Sequence, residues 1–476
     1  MASIRKNFVF NATLTICSYI FPLMVIPYVS RTLGVANIGA CNFVDSIVDY
    51  FTIISMMGIN TLGIREIAKA KNCPKDLNIV FSELFSLNTI TTIIAVIILT
   101  FAVFCVHKFQ DYKSLFYLGI LKLFFNYLLI NWFFQGLEDF KYITIRYVFV
   151  KTIFVISIFT MVHTCQDTTL YYLLVCLSWA LNGIINIIYS RKIISFHFTL
   201  RIRKDFIISF LILGCYWFMN SLYTTFNVVF LGFKTNDTEV GYYTSANKLL
   251  CIIIALFTTL SSVIIPRVSS LIKKTDTDEF KKIIYKSLDA VIMFSIPLTI
   301  FVLYYSPHII KLVFGTDFNG AITPLRIMSI LFLFIGINQI LVLQILMPIC
   351  KDYDILRNSA IAGIIGIISS IALVSFFGKN GAAFELIIGE IALLLGSLNS
   401  IHKFSAIRLP LYSIIKHILI ITPILLLYLI INMYVKNYIS ELCIAALFTL
   451  LYVTAIEYFG FKNQIIINTI NKIKSV

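Results

Sequence analysis

Three lysines stand where an apolar stretch would ordinarily exclude them: Lys122, Lys151 and Lys248. At a helical rise of about 1.5 Å per residue they lie about 15, 14 and 10 Å inside their apolar runs. Arg31 and Arg326 stand near the ends of two further runs. A charge at the centre of a hydrocarbon layer costs about 2.5–3.5 kcal/mol, so each such group needs a water-filled cavity or a partner. Lysine offers a movable point charge, and arginine a planar fork that grips phosphate through two parallel hydrogen bonds. Together they suit an anionic cargo. Asp45 and Asp49 are four residues apart, hence on one helix face. Two carboxylates that close repel in a low dielectric unless a proton or a cation intervenes, which would suit H+ or Na+ coupling. A plainer reading pairs Lys122 or Lys151 with Asp45 or Asp49 and lets the terminal bases snorkel to the interface. Asn220, Asn227, Gln339 and Gln344 offer hydrogen bonds to hydroxyl groups, or to a neighbouring helix at about 0.6 kcal/mol each. Glu390 lies deep in its run, and the sequence names no partner for it.

The elements that carry these residues follow from composition. The chain is 59% hydrophobic and only 13% charged, with a mean hydropathy of +0.92. A soluble domain is nearer a quarter charged. Apolar runs of about 20 residues recur along the length, each able to span about 30 Å of hydrocarbon. They predict an all-α polytopic membrane protein of about 14 transmembrane helices. The expected spans are 8–30, 38–62, 79–106, 112–134, 142–163, 168–190, 206–232, 241–266, 285–305, 322–347, 355–377, 381–402, 411–434 and 439–460. With the N-terminus inside, 27 of the 38 Lys and Arg fall on the cytoplasmic side, 7 on the other and 4 within spans. That bias predicts both termini in the cytoplasm. The net charge of +15 therefore reads as basic cytoplasmic loops, with no nucleic-acid partner implied. The ten cysteines form no CxxC and the six histidines show no ligand spacing, so no metal or other cofactor is expected. Arg5 and Lys6 precede an apolar stretch that carries Asn11, has no A-x-A pattern and runs past Pro27, so it is expected to remain as an uncleaved first span. Pro22 and Pro27 each remove a backbone hydrogen bond from that span, which lowers the cost of bending and marks a candidate hinge.

The chain also repeats itself. At a constant offset of 202, Gly39 falls on Gly241, Asp45 on Asn247, Ser46 on Lys248 and Arg65 on Arg267. The spans before these segments both end in Leu-Gly, Leu33-Gly34 and Leu231-Gly232. The matching positions, second and eighth in span order, predict two six-helix lobes with a site between them near the midplane. The lobes would be residues 1–200 and 201–404, with 405–476 supplying two additional C-terminal helices.

"FPLMVIPYVSRTLG" (Phe21–Gly34), "NIGACNFVDSIVDYF" (Asn37–Phe51) and "GINTLGIREIAK" (Gly58–Lys69) resemble the N-terminal signature of Wzx-type bacterial polysaccharide-export flippases. These belong to the same superfamily as the multidrug-and-toxin exporters and the lipid II flippase. "NWFFQGLEDFKYITIR" (Asn131–Arg146) is similar to the family's fourth-to-fifth span junction, "VGYYTSANKLL" (Val240–Leu250) to its eighth span and "ILVLQILMP" (Ile340–Pro348) to its tenth. The resemblance implies a transporter of the bacterial inner membrane, with two lobes alternating access to a central cavity. Its cargo would be an oligosaccharide on undecaprenyl pyrophosphate, moved from the cytoplasmic to the periplasmic leaflet. A polysaccharide polymerase and a chain-length regulator would be partners beside the membrane lipids. Under this reading Arg31, Lys122, Lys151, Lys248 and Arg326 meet the pyrophosphate or acidic sugars, and Asn220, Asn227 and Gln344 the sugar hydroxyls. Asp49 departs from the family pattern, so its role rests on the physics above. A cation-coupled multidrug exporter would share the fold, though deep basic residues at least match the deep acids here. A polymerase or ligase would need convergent acids or arginines on a large outer loop, and no outer loop exceeds about 20 residues.

Overall fold

The computed structural model describes residues 4–273, 277–349, 351–402, 407 and 409–460. Among them every regular element is helical. In a hydrocarbon solvent a helix satisfies all its own backbone donors and acceptors, so the apolar runs have little alternative. The first two expected spans form one element, α1 (Ile4–Met56), followed by the short amphipathic α2 (Ile59–Ala70). Within α1 the backbone stays helical through Pro22 and Pro27, and the non-helical residue is Gly34, at φ 79° and ψ 169°. A left-handed φ is where glycine alone costs nothing. The bend between the first two spans therefore sits at the glycine, and both prolines lie in continuous helix.

The third span is α3 (Pro74–Cys105), with proline in its first turn where no amide is missed. A one-turn helix, α4 (His107–Gln110), leads to α5 (Lys113–Tyr127). The fourth span then breaks at Ile130 (φ 34°) before α6 (Asn131–Gly136). Asp139 caps α7 (Phe140–Met161) by accepting from the Tyr142 amide at 3.2 Å. Next come α8 (Thr168–Ser190), α9 (Lys204–Lys234), α10 (Asp237–Lys273) and α11 (Thr277–Val313). The tenth span is broken into a 3-10 turn (Thr316–Ala321), α12 (Ile322–Ser329), α13 (Leu331–Gln339) and a π-helical turn (Ile340–Leu346). The eleventh and twelfth again form one element, α14 (Asp352–His402), interrupted at Gly378 (φ 53°). The thirteenth is split at Thr422–Pro423 into α15 (Leu411–Ile421) and α16 (Ile424–Tyr434), and α17 (Tyr438–Ala455) is the fourteenth.

Among the described residues nine helices are long and apolar enough to cross a membrane, or ten if the bent pair 316–329 and 331–346 is one span. Two of the nine, Val9–Ala70 and Asp352–His402, each hold two expected spans. The protein is thus a polytopic, all-helical membrane protein. The lipid-facing surface is visible on α3, where Ile93, Ile97, Phe101 and Phe104 form one exposed apolar stripe.

The chain divides into two compact units. The first holds residues 1–244 and 370–379. Here α1 packs on α3, α5, α7 and α9, and α5 on α8. Its densest apolar core is aromatic, with Phe81, Phe85, Trp132, Phe133 and Phe134 packed against α2 through Leu62 and Ile67. The second unit holds residues 245–369 and 380–476, centred on α11, which packs on α12, α13, α15 and α17. Its core joins Tyr305 of α11 to Tyr428 of α16, whose hydroxyl pairs with Thr449 Oγ1 of α17 at 2.6 Å.

Candidate functional site

In the first unit α1, α5 and α8 bring together a charged cluster. Lys122 Nζ of α5 donates to Asp45 Oδ1 of α1 at 2.8 Å and lies 3.4 Å from Asp49 Oδ1, one turn on. The Tyr172 hydroxyl of α8 donates to the same Asp45 oxygen at 2.6 Å. The Lys122 ammonium also sits 5.5 Å from the Trp179 ring centre, on the electron-rich face that attracts a cation. The lysine side chain is 7% exposed, Asp45 33% and Asp49 53%. The cation is therefore enclosed by its partners, while Asp49 keeps an accessible oxygen. The pairing alternative describes Lys122: the two carboxylates face one ammonium and one hydroxyl donor.

One turn deeper along the same helices lies a cavity of about 590 Å3. Thr52, Ile53 and Met56 of α1, Asn60 of α2, Asn126 of α5 and Asn131 of α6 form part of its wall. The rest comes from Arg146, Tyr147 and Lys151 of α7, Ser178, Trp179 and Asn182 of α8, and Trp217, Ser221 and Thr225 of α9. The lining carries two cations, four asparagines and two tryptophans, and no carboxylate. Arg146 is buried. Its terminal nitrogens donate to Asn131 Oδ1 at 3.0 Å and to Asn186 Oδ1, and its guanidinium lies 5.8 Å from the Tyr142 ring. Among the described residues its Nε and the nearby Asn182 Oδ1 have no hydrogen-bond partner. Lys151, five residues on, is partly exposed, with its ammonium 4.9 Å from the Phe154 ring. Buried cations in a protein are held by anions or by hydrogen bonds. Here amides and rings hold Arg146 and no carboxylate pairs with it among the described residues, which leaves the cavity wall suited to an anion.

Sequence reasoning had counted Arg146 among the cytoplasmic bases and did not single out Asn60, Asn126, Asn131, Asn182 or the tryptophans. A signal was present: Arg146 stands six residues into a helix that opens at Phe140, too deep for a loop residue.

The remaining expected residues are spread more widely. Arg31 is exposed at the end of the first half of α1, beside a second cavity of about 720 Å3 that Tyr28, His163 and Cys165 also line. Asn227 is buried in α9. Asn220 belongs to the same helix, its side chain outside the described residues. Lys248 is partly buried in the second-unit portion of α10. In the second unit Arg326 Nε of α12 donates to Ser306 Oγ at 2.9 Å and to the Leu303 carbonyl at 3.1 Å. Gln344, buried in the π-helical turn, donates to Ser261 Oγ at 3.2 Å, and Gln339 to Thr258 Oγ1 at 3.2 Å. The first unit thus gathers Asp45, Asp49, Lys122 and Lys151 around one region, and Lys248, Arg326 and Gln344 belong to the second. No group of three or more His, Cys, Asp or Glu with metal-binding geometry occurs among the described residues.

The chain is 23% identical over 401 residues to the "Putative O-antigen transporter" of Escherichia coli (strain K12), covering 82% of this chain and 94% of that protein. It is 25% identical over 415 residues to the protein of the same name from Shigella dysenteriae, covering 83% of this chain and all of that one. Among solved structures it is similar to the lipid II flippase MurJ in an inward closed conformation. That match has a TM-score of 0.76 at 15% identity, over 95% of this chain and 99% of the other. An inward-facing multidrug resistance MATE family transporter of the MOP superfamily matches with a TM-score of 0.61 at 14% identity, over 81% and 96% of the two chains. Likeness at such identities establishes the fold, a polytopic transporter fold. The model of the family described as "Polysaccharide biosynthesis protein" matches residues 4–272. That segment exceeds half of the 476 residues, and the chain belongs to the polysaccharide biosynthesis protein family.

Proposed function

We propose that this protein is a flippase that carries an undecaprenyl-pyrophosphate-linked oligosaccharide repeat unit from the cytoplasmic to the periplasmic leaflet by alternating access. The product would feed surface polysaccharide synthesis, with a polymerase and a chain-length regulator as downstream partners. The host membrane would be the bacterial inner membrane, with both termini in the cytoplasm. One observation carries the reading: the first-unit cavity presents Arg146 and Lys151 without a carboxylate, beside four asparagines and two tryptophans. Cations suit a pyrophosphate, amides suit sugar hydroxyls, and indole faces suit the apolar side of sugar rings. A volume of about 590 Å3 is within the usual range for a ligand site and large enough for part of an oligosaccharide. The names of the relatives, O-antigen transporter and lipid II flippase, point to cargo of the same kind. An exporter of cationic drugs would be poorly served by a wall whose charges are both positive.

The test is deletion in the native host. The lipid-linked oligosaccharide should then accumulate on the cytoplasmic leaflet, the surface polysaccharide should be lost, and drug resistance should be unchanged. An intact surface polysaccharide with lost drug efflux would establish the multidrug reading instead.

A further inference from the structure

Glu390 lies in the second half of α14, about 18 Å along the helix from the Gly378 break, near the middle of a span. It is partly buried. Its neighbours on the same stripe, Leu386, Leu393 and Ser397, are all buried, while Phe384 and Leu395 mark the opposite, exposed face. The carboxylate therefore points into the protein and away from lipid. Asn338 of α13, itself 4% exposed, donates its amide to Glu390 Oε2 at 2.6 Å and to the Glu390 carbonyl at 2.9 Å. Among the described residues no lysine, arginine or histidine pairs with Glu390. The facing stretch from Leu331 to Pro348 carries no ionisable side chain. The other ionisable group on the same helix is Glu385, which is buried and is itself repelled by the Glu390 carboxylate.

This is the reverse of the arrangement at Asp45 and Asp49, where Lys122 and Tyr172 supply a cation and a hydroxyl donor. A carboxylate inside a span with one amide donor and no cation is costly while it is charged and comfortable once it is neutral. Such a group has two stable conditions that differ by one proton, which is what coupling to a proton gradient requires. Sodium fits less well, because the neighbour presents its amide N–H to the carboxylate, and a sodium ion needs several oxygen ligands.

We propose that Glu390 is the proton-binding site that couples transport to the proton gradient, a role that rests on the flippase reading. A proton from water on one side of the membrane binds a Glu390 carboxylate oxygen. It leaves that oxygen to water on the other side, and only the O–H bond forms and breaks. Protonation of Glu390 removes its repulsion of Glu385, and the charged form draws on the Asn338 hydrogen bond, so the two forms differ in what they ask of α13 and α14.

Infrared titration of the purified full-length protein tests the proton site without any cargo, so its result is separate from that of the deletion experiment. The difference spectrum between wild type and Glu390→Gln should contain a titrating protonated-carboxyl component, over and above the buried Glu385, and Asp49→Asn should retain that component. A titration spectrum unchanged in Glu390→Gln overturns the proposal. In cells, Glu390→Gln retains a carbonyl oxygen that accepts from Asn338, so a merely structural role predicts normal surface polysaccharide at normal abundance. The proton role predicts its loss, with partial activity retained by Glu390→Asp. Full activity of Glu390→Gln at wild-type abundance, or transport that follows a sodium gradient and ignores pH, overturns the proposal. If Glu390→Gln does not accumulate, Glu390→Asp carries the infrared test: its band should shift in frequency, and an unchanged band again overturns the assignment.

Discussion

Asn42 donates its side-chain amide to Thr244 Oγ1 at 2.8 Å, and the two residues stand 202 apart, the offset at which the chain repeats. The relationship extends along the crossing. A Cβ on Gly39 would run into the Asp237 carbonyl oxygen, and a Cβ on Gly241 into the Val35 carbonyl oxygen. Gly39 maps to Gly241 and Val35 to Asp237 at the same offset, so each contact is the mate of the other. The two contacts are thus reciprocal across the crossing of α1 and α10. Glycine at both positions lets the two backbones touch.

If this crossing parts during transport, holding it shut should stop the cycle. In a background without native cysteines, Asn42→Cys combined with Thr244→Cys should lose surface polysaccharide on oxidation and regain it on reduction. Gly39→Val should be harmful by itself, since overpacking of a close contact costs about 1–3 kcal/mol. Wild-type transport by the oxidised protein would show that the crossing is static.

The Lys122 cluster makes a prediction about abundance. Lys122→Ala leaves Asp45 and Asp49 facing each other without the cation, so protein level in the membrane should fall. Adding Asp45→Asn removes the nearer unpaired charge and should restore the level. Asp45, at 2.8 Å, should rescue better than Asp49, at 3.4 Å. Immunoblots of membrane fractions measure the first effect and surface polysaccharide the second. Recovered abundance without recovered transport would place Lys122 in cargo handling as well.

Arg146 and Lys151 are predicted to act on the cargo's charge. A charge-assisted hydrogen bond is worth about 1.5–3 kcal/mol, or about 10–100-fold in affinity. Lys151→Gln should weaken transport by that order with normal protein level, because among the described residues Lys151 meets aromatic rings and holds no ion pair. Arg146→Lys should lose more than the retained charge suggests, since the guanidinium bridges Asn131 and Asn186 and an ammonium cannot span both. Transport assays at matched abundance decide the matter, and unaltered transport by both variants would remove this cavity from the cargo path.

The turn between α7 and α8 should respond to acid. Asp167 Oδ2 accepts from the His163 amide at 2.9 Å, the Thr164 amide at 2.8 Å and Thr164 Oγ1 at 3.0 Å. These backbone donors hold its carboxyl below the usual carboxylate range. The lowered value means the turn is supported throughout neutral pH, and the support is lost as pH falls through it. Hydrogen exchange at His163 and Thr164 should therefore accelerate in Asp167→Asn at pH 7, while the wild type shows the change only in strong acid.

The sequence by itself determined the class of molecule and the approximate limits of many of its helical spans, and it marked the 202-residue offset at which Asn42 and Thr244 meet. Those properties are local or periodic: an apolar run of sufficient length in lipid has to be a helix. It also marked Lys122, Lys151, Asp45 and Asp49 as costly residues in need of partners. Which partner each one takes was decided by tertiary packing, because Lys122 meets Asp45 across 77 residues of chain and Tyr172 meets it across 127. The turn between the first two spans likewise fell at Gly34, where a left-handed φ interrupts the helix that continues through Pro22 and Pro27. Arg146 looked from sequence like a loop base; the closure of α6, α7 and α8 around Asn131 and Asn186 turned it into a cavity wall. Charge signs can be read along a chain, but whether a charge is neutralised depends on distances between helices that no local pattern encodes.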